Sequence, residues 1–93
     1  MNFEWDEEKN ASNKVKHAID FRDAVKVFDD HDCITREDDR ESYGEARYQA
    51  IGTTAQGVLV VVFTERHEDV IRIISARRAD KAEKRLYANG TFY

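Results

Sequence analysis

Two apolar runs joined by a polar turn, an alternating segment before them, and helical periodicity at both ends predict an α+β fold. In it, helices pack on an antiparallel sheet. The runs are Val58-Leu59-Val60-Val61-Val62-Phe63 and Val70-Ile71-Arg72-Ile73-Ile74, both rich in β-branched residues. Residues 47–53 alternate, with Tyr48 and Ala50 on one face and Arg47, Gln49 and Ile51 on the other.

The elements follow in order. Phe3-Glu4-Trp5 reads as a short strand. Asp6 is an N-cap, Glu7 and Glu8 suit the positive end of a helix dipole, and Lys14, Lys16 and His17 suit its negative end. A first helix to about His17 is therefore expected. Asp20 opens a second, whose Phe21, Ala24, Val25 and Phe28 keep i, i+3, i+4, i+7 spacing. Asp29-Asp30-His31-Asp32 ends it, and Cys33-Ile34-Thr35 reads as a short strand. Residues 36–45, REDDRESYGE, read as an acidic loop. Strands over 47–53, 58–66 and 70–77, with short connections, predict an antiparallel meander. A last helix runs from about Asp80 to Asn89 and stops at Gly90. With no proline, four glycines and no repeat, residues 1–93 are expected to form one domain.

Composition removes several function classes. No apolar run approaches the ~20 residues of a membrane span, and the N-terminus lacks signal-peptide character, so a cytoplasmic protein without a membrane partner is expected. Cys33, the single cysteine, can form neither an internal disulfide nor a cysteine-based metal site and reads as a small buried or half-buried apolar residue. The three histidines lack HxxxH or HxH spacing, so neither a metal nor another cofactor is expected. The net charge is −4, unevenly spread: residues 1–45 carry 7 Lys/Arg against 14 Asp/Glu, residues 46–93 carry 8 against 5. A locally cationic second half suits a polyanion, and an acidic segment over 29–45 suits a basic protein partner.

The candidate site residues are mostly cations. Arg66 continues the row Val60, Val62, Thr64, and Arg77 continues the row Ile71, Ile73, Ser75. Guanidinium forks match phosphate oxygens, so convergence at one sheet edge, with Arg78 and the basic segment 81–85 behind, predicts nucleic acid as partner. Surface pairing with Glu65, Glu68, Asp69 or Asp80 is the alternative for any one of them. His17 is the acid/base candidate, because imidazole titrates near neutral pH. His31 and His67 read as surface residues, and Trp5 and Phe21 as core or hinge contacts. Tyr87 has a ring that packs and a hydroxyl able to reach a phosphate. No nucleophile elbow or phosphate-cradling glycine loop is present.

The ordered set Phe3-Glu4-Trp5-Asp6, Lys9, Asn13, Lys16-His17, Phe21, Val27-Phe28-Asp29, Arg47-Tyr48, Ile51-Gly52, Val61-Val62-Phe63-Thr64, Arg66, Arg72 through Ala79, Glu83 and Tyr87 resembles the BrnT-type toxins of bacterial type II toxin–antitoxin systems. The likeness covers about residues 3 to 88; no family motif is apparent in the acidic loop at 36–45. It implies a RelE-like fold and a translation-blocking ribonuclease that cuts RNA without a metal. It also implies neutralisation by a small BrnA-type ribbon-helix-helix antitoxin, and contact with operator DNA only through that complex. Metal-free cleavage uses the substrate's 2′-hydroxyl as nucleophile. On that expectation His17 transfers protons, Arg66 and Arg77 clamp the phosphate, and Lys9, Arg47, Arg78 and Tyr87 position substrate. A non-catalytic nucleic-acid- or partner-binding module is the alternative.

Overall fold

The computed structural model describes residues 1–38 and 44–92. The chain runs β1 (Asn2–Glu4), α1 (Glu7–His17), α2 (Phe21–Ala24), a 3-10 helix (Val25–Asp29), β2 (Ile34–Asp38), β3 (Arg47–Thr54), β4 (Gly57–His67), β5 (Val70–Arg78) and α3 (Lys81–Asn89). The strands form one sheet in the order β1-β5-β4-β3-β2. The expected meander is present as β3-β4-β5, and β2 extends it antiparallel to β3. β1 differs: it joins the far edge parallel to β5, pairing Phe3 with Ile71.

The helix signals act as their chemistry dictates. The Asp6 carboxylate accepts from the Glu8 and Lys9 amides and opens α1, which ends in a left-handed Ala18. Asp20 caps α2, but the expected long second helix tightens into a 3-10 helix after Ala24. Asp80 and Glu83 form a reciprocal capping box on α3, and Gly90 closes it at φ 75°.

Two departures change the reading of side-chain faces. The segment expected to be loop from residue 36 begins as strand, since β2 continues through Arg36, Glu37 and Asp38. Residues 39–43 of that expected loop lie outside the described residues. In β5, Val62 pairs with Ser75 but Phe63 pairs with Ile73, so Ile74 is an extra residue in a bulge. One added residue inverts the alternation. Arg77 therefore shares the face of Ser75 but not, as its spacing predicts, that of Ile71 and Ile73.

Each face of the sheet has its own apolar cluster. On one, Ile19, Phe21, Ala24 and Val27 pack against Ala50, Leu59, Val61, Phe63, Ile73 and Ala76. On the other, Ile51, Val60 and Ala79 pack with Ile34, Val58, Tyr87 and Phe92. α2 with the 3-10 helix and α3 thus lie over opposite faces. Gly52 is required where the 3-10 helix crosses β3, because a Cβ there would lie 2.9 Å from Val27 Cγ1 and 3.0 Å from the Val27 carbonyl oxygen. No helix among the described residues is long and apolar enough to cross a membrane.

Candidate nucleic-acid interface

The site begins with an unfilled strand edge. β1 pairs only with Val70, Ile71 and Arg72, so the second half of β5 has β4 on one side and, among the described residues, no strand on the other. Asn13, buried on α1, takes that place. Its Oδ1 accepts from the Ala76 amide at 3.1 Å, and its Nδ2 donates to the carbonyls of Ala76 at 2.8 Å and Ile19 at 2.9 Å. A carboxamide offers both a donor and an acceptor, so it pairs with a strand residue as another strand does. Asn10, one turn earlier, accepts from the Phe21 amide at 2.8 Å and donates to Asp20 at 3.1 Å. These two asparagines are the only buried residues of α1.

That anchoring aims one stripe of α1 at the β5 edge. Lys9, Ser12, Asn13, Lys16 and His17 line a groove of about 260 Å³ against Ile74 and Ser75. The spacing i, i+3, i+4, i+7, i+8 is a single helix face, covering about 10 Å from Lys9 to Lys16. Lys9 and Lys16 are exposed and His17 is half-buried. At the groove's end the Arg78 guanidinium donates to the His17 carbonyl at 3.4 Å. Lys9 and His17 thus line one groove, with Arg78 bonded at its end. Lys16 and Ser12 are additions, and the signal for them was the polar stripe itself.

Arg77 leaves the same strand end on the opposite face, toward α3. It pairs with Glu83 through two bonds of 2.7 Å, a fork-to-carboxylate geometry that fixes the guanidinium plane. Glu83 also accepts from the Asp80 amide at 2.8 Å. The Arg77 pair, foremost, holds the Glu83 carboxyl below its ordinary range.

Arg66 is not part of this arrangement. Antiparallel neighbours end at opposite ends of a sheet: Arg77 faces Val60, six positions before Arg66 on β4, or roughly 20 Å along the strand. The expected convergence of Arg66 and Arg77 on one phosphate is therefore corrected by the register. Arg66 falls in a second bulge between Glu65 and His67, with Glu45 3.8 Å away, and Arg47 lies 3.7 Å from the same carboxylate. Arg47 and Arg66 form a separate group at the far end.

Tyr87 also points elsewhere. Its hydroxyl donates to Asp30 at 2.6 Å, and the same oxygen accepts from the Thr53 amide at 2.8 Å. This bond to a carboxylate, with burial, pushes the phenol up to about 12. Bonds from the Thr53 amide and then from Tyr87 keep Asp30 below the ordinary carboxylate range. Cys33 is half-buried, and desolvation raises its thiol to about 11, so it presents no thiolate at neutral pH. Among the described residues, no three histidine, cysteine or acidic side chains cluster as metal ligands do.

The chain matches, over residues 5–83, the family described as ribonuclease toxin, BrnT, of type II toxin-antitoxin systems. Its fold is similar to the crystal structure of the Brucella abortus ribonuclease toxin BrnT, with a TM-score of 0.65 and 26% identity. That similarity covers 87% of this chain and 99% of the other. No curated protein matches the chain.

Proposed function

Because this chain belongs to the BrnT family of type II toxin–antitoxin ribonuclease toxins, we propose that it is a metal-independent endoribonuclease. On this reading its substrate strand lies along the open half of β5, beside the groove lined by Lys9, Lys16 and His17. The observation that carries this reading is the row Lys9, Lys16, His17 and Arg78 on one side of that edge, with Arg77 on the other.

The chemistry asks for three things. A base removes the proton from the substrate 2′-hydroxyl, whose oxygen attacks the adjacent phosphorus. Cationic donors stabilise the added negative charge. An acid protonates the 5′-oxygen as its bond to phosphorus breaks, leaving a 2′,3′-cyclic phosphate and a 5′-hydroxyl. His17 serves the proton transfer, worth roughly 10²–10⁴-fold. Arg77, held in plane by Glu83, faces the transition-state charge, and one such donor is worth roughly 10²–10³-fold. Arg78 fixes the end of α1 while keeping donors for substrate, and Lys9 and Lys16 hold flanking phosphates. Arg47 and Arg66, at the far end, contact RNA outside the reacting phosphate, and Tyr87 fastens α3. In the cell, the toxin acts in the cytoplasm and is neutralised by a BrnA-type ribbon-helix-helix antitoxin, through which alone the complex meets operator DNA.

The test is cleavage of a defined single-stranded RNA in EDTA by the parent and by His17→Ala, Arg77→Ala and Arg66→Ala. The reading expects cyclic-phosphate products from the parent, with losses of at least ~10²-fold for the first two variants and a smaller one for Arg66→Ala. Retained cleavage in both His17→Ala and Arg77→Ala rejects the site. Abolition of the parent's cleavage by EDTA, restored by a divalent ion, rejects metal independence. RNA binding without cleavage leaves the non-catalytic module.

A further inference from the structure

The opposite edge of the sheet has a different chemistry. Among the described residues β2 pairs with β3 alone and is the outermost strand, so one row of the backbone donors and acceptors of Ile34–Glu37 faces outward. Two adjoining concavities flank it, meeting at Ile34. One, of about 460 Å³, is lined by His31, Asp32, Cys33, Ile34 and the last turn of α3 from Tyr87 to Gly90. The other, of about 240 Å³, runs along Ile34, Thr35 and Arg36 to Phe92.

The larger concavity is built to be electronegative. The C-terminal end of α3 carries the negative pole of its dipole. Asp32 lines the wall, and the ionised Asp30 stands behind it, its other oxygen accepting from the Asp32 amide at 3.0 Å. Asp29 and Asp32 are exposed in the segment leading into β2, and Glu37 is exposed on the strand itself, on the sheet face away from α3. Arg36, the one cation on β2, lines the smaller concavity and not the larger one; it donates to Gln49 at 3.0 Å and lies 4.4 Å over the Phe92 ring. An open strand edge selects an extended peptide, and the negative socket beside it selects a cationic side chain.

We infer that the antitoxin docks along the outer edge of β2, adding an extended segment to the sheet and seating a lysine or arginine in the socket at the C-terminus of α3. The inference takes from the toxin reading only the existence of an antitoxin. β2 lies three strand spacings from β5, about 14 Å, so this docking is separable from the cationic groove.

The experiment uses the whole toxin and the small protein encoded beside it. Affinity is measured by calorimetry for the parent, for Asp32→Lys/Glu37→Lys, and for Lys9→Glu/Lys16→Glu, with RNA cleavage assayed on each. All four positions are exposed, and thermal melts confirm folding. The β2-edge pair is expected to weaken binding about tenfold, lessen its salt dependence and leave RNA cleavage at the parent rate. The groove pair is expected to lose cleavage yet bind within about twofold of the parent. Amide exchange across Thr35, Arg36 and Glu37 should slow in the parent complex. Unchanged affinity of the β2-edge pair, lost affinity of the groove pair, or unprotected β2 amides each overturns the inference. A parent that cuts RNA but does not bind the neighbour overturns docking alone. A parent that binds in the expected pattern but cuts no RNA overturns the ribonuclease reading alone.

Discussion

The helices on the two faces of the sheet are held by different physics. Under α2 and the 3-10 helix, Ile19, Phe21, Ala24 and Val27 are fully buried, and a chain of ring contacts runs Phe3–Phe28–Phe63–Tyr48 at centroid distances of 5.1–5.5 Å. Helix α3 on the other face buries none of its own residues. It is pinned by polar contacts, Glu83 on Arg77 and Tyr87 on Asp30, around a small apolar patch at Ile51, Val60 and Ala79. Apolar packing specifies the fold on one side. On the other, one of the two fastenings, Glu83, also fixes the plane of the Arg77 guanidinium, so the function proposed for Arg77 would share a residue with stability there.

If that contrast is right, truncation on the two faces should differ several-fold in cost. Phe21→Ala removes a ring that is fully buried and stacked edge-on to Trp5 at 6.1 Å. The expected loss is about 3–5 kcal/mol in chemical denaturation, enough to unfold a domain of marginal stability. A loss under about 1 kcal/mol would mean that the face repacks freely and that the contrast is false.

Between the two faces stands Asn13, which replaces a missing strand with one side chain. Asn13→Ala leaves the Ala76 amide, the Ala76 carbonyl and the Ile19 carbonyl without that partner, at an expected total of about 2–4 kcal/mol. Water entering the edge would reduce the loss. The informative reading is a pair of numbers, the stability loss and the RNA-cleavage rate measured well below the melting point. A fall in cleavage at temperatures where the variant is fully folded shows that Asn13 aims the Lys9–His17 stripe; an unchanged rate shows that it only supports the fold.

The sequence made some of this legible and hid the rest for identifiable reasons. Caps are local, so Asp6, Asp20, Asp80 and Gly90 announced the helix ends. Apolar runs are local too, and β3-β4-β5 followed from them. What alternation does not carry is the register. The bulge at Ile74 moved Arg77 to the face opposite Ile71 and Ile73, and antiparallel pairing put Arg66 at the other end of the sheet. Both strands end in arginine, but antiparallel strands do not end together. Asn10 and Asn13 were visible as letters without a role, because a buried amide has meaning only once its strand partner is known. The parallel addition of β1 was hidden likewise, since three residues hold no signal of direction.

The next prediction probes the Arg77 fastening. Glu83→Gln loses charge from the fork and weakens the α3 cap, for an expected cost of about 1 kcal/mol after allowing for the partly exposed guanidinium. Glu83 is held below its ordinary range in the folded state, so its contribution is present above the unfolded carboxylate range, near pH 4.3, and fades as pH falls through the folded value. Parent and variant melting temperatures should therefore converge in acid. A gap that persists there assigns the loss to the cap alone.

The smallest effect belongs to the other fastening, and its pH dependence runs the opposite way. Tyr87→Phe keeps the ring and deletes the hydroxyl that donates to Asp30, for an expected loss of about 0.5–1 kcal/mol at neutral pH. The phenol is raised to about 12 in the folded protein, against about 10 unfolded, because its bond to a carboxylate favours the protonated form. A raised group contributes its full stability below its unfolded value and loses it as pH rises through the folded one. The gap between parent and variant should hold from neutral pH to about 10 and close between about 10 and 12. Thermal melts across that range decide the matter. If the gap is flat through pH 12, the hydroxyl is not the fastening, and α3 stays on the sheet through the apolar patch at Ile51, Val60 and Ala79.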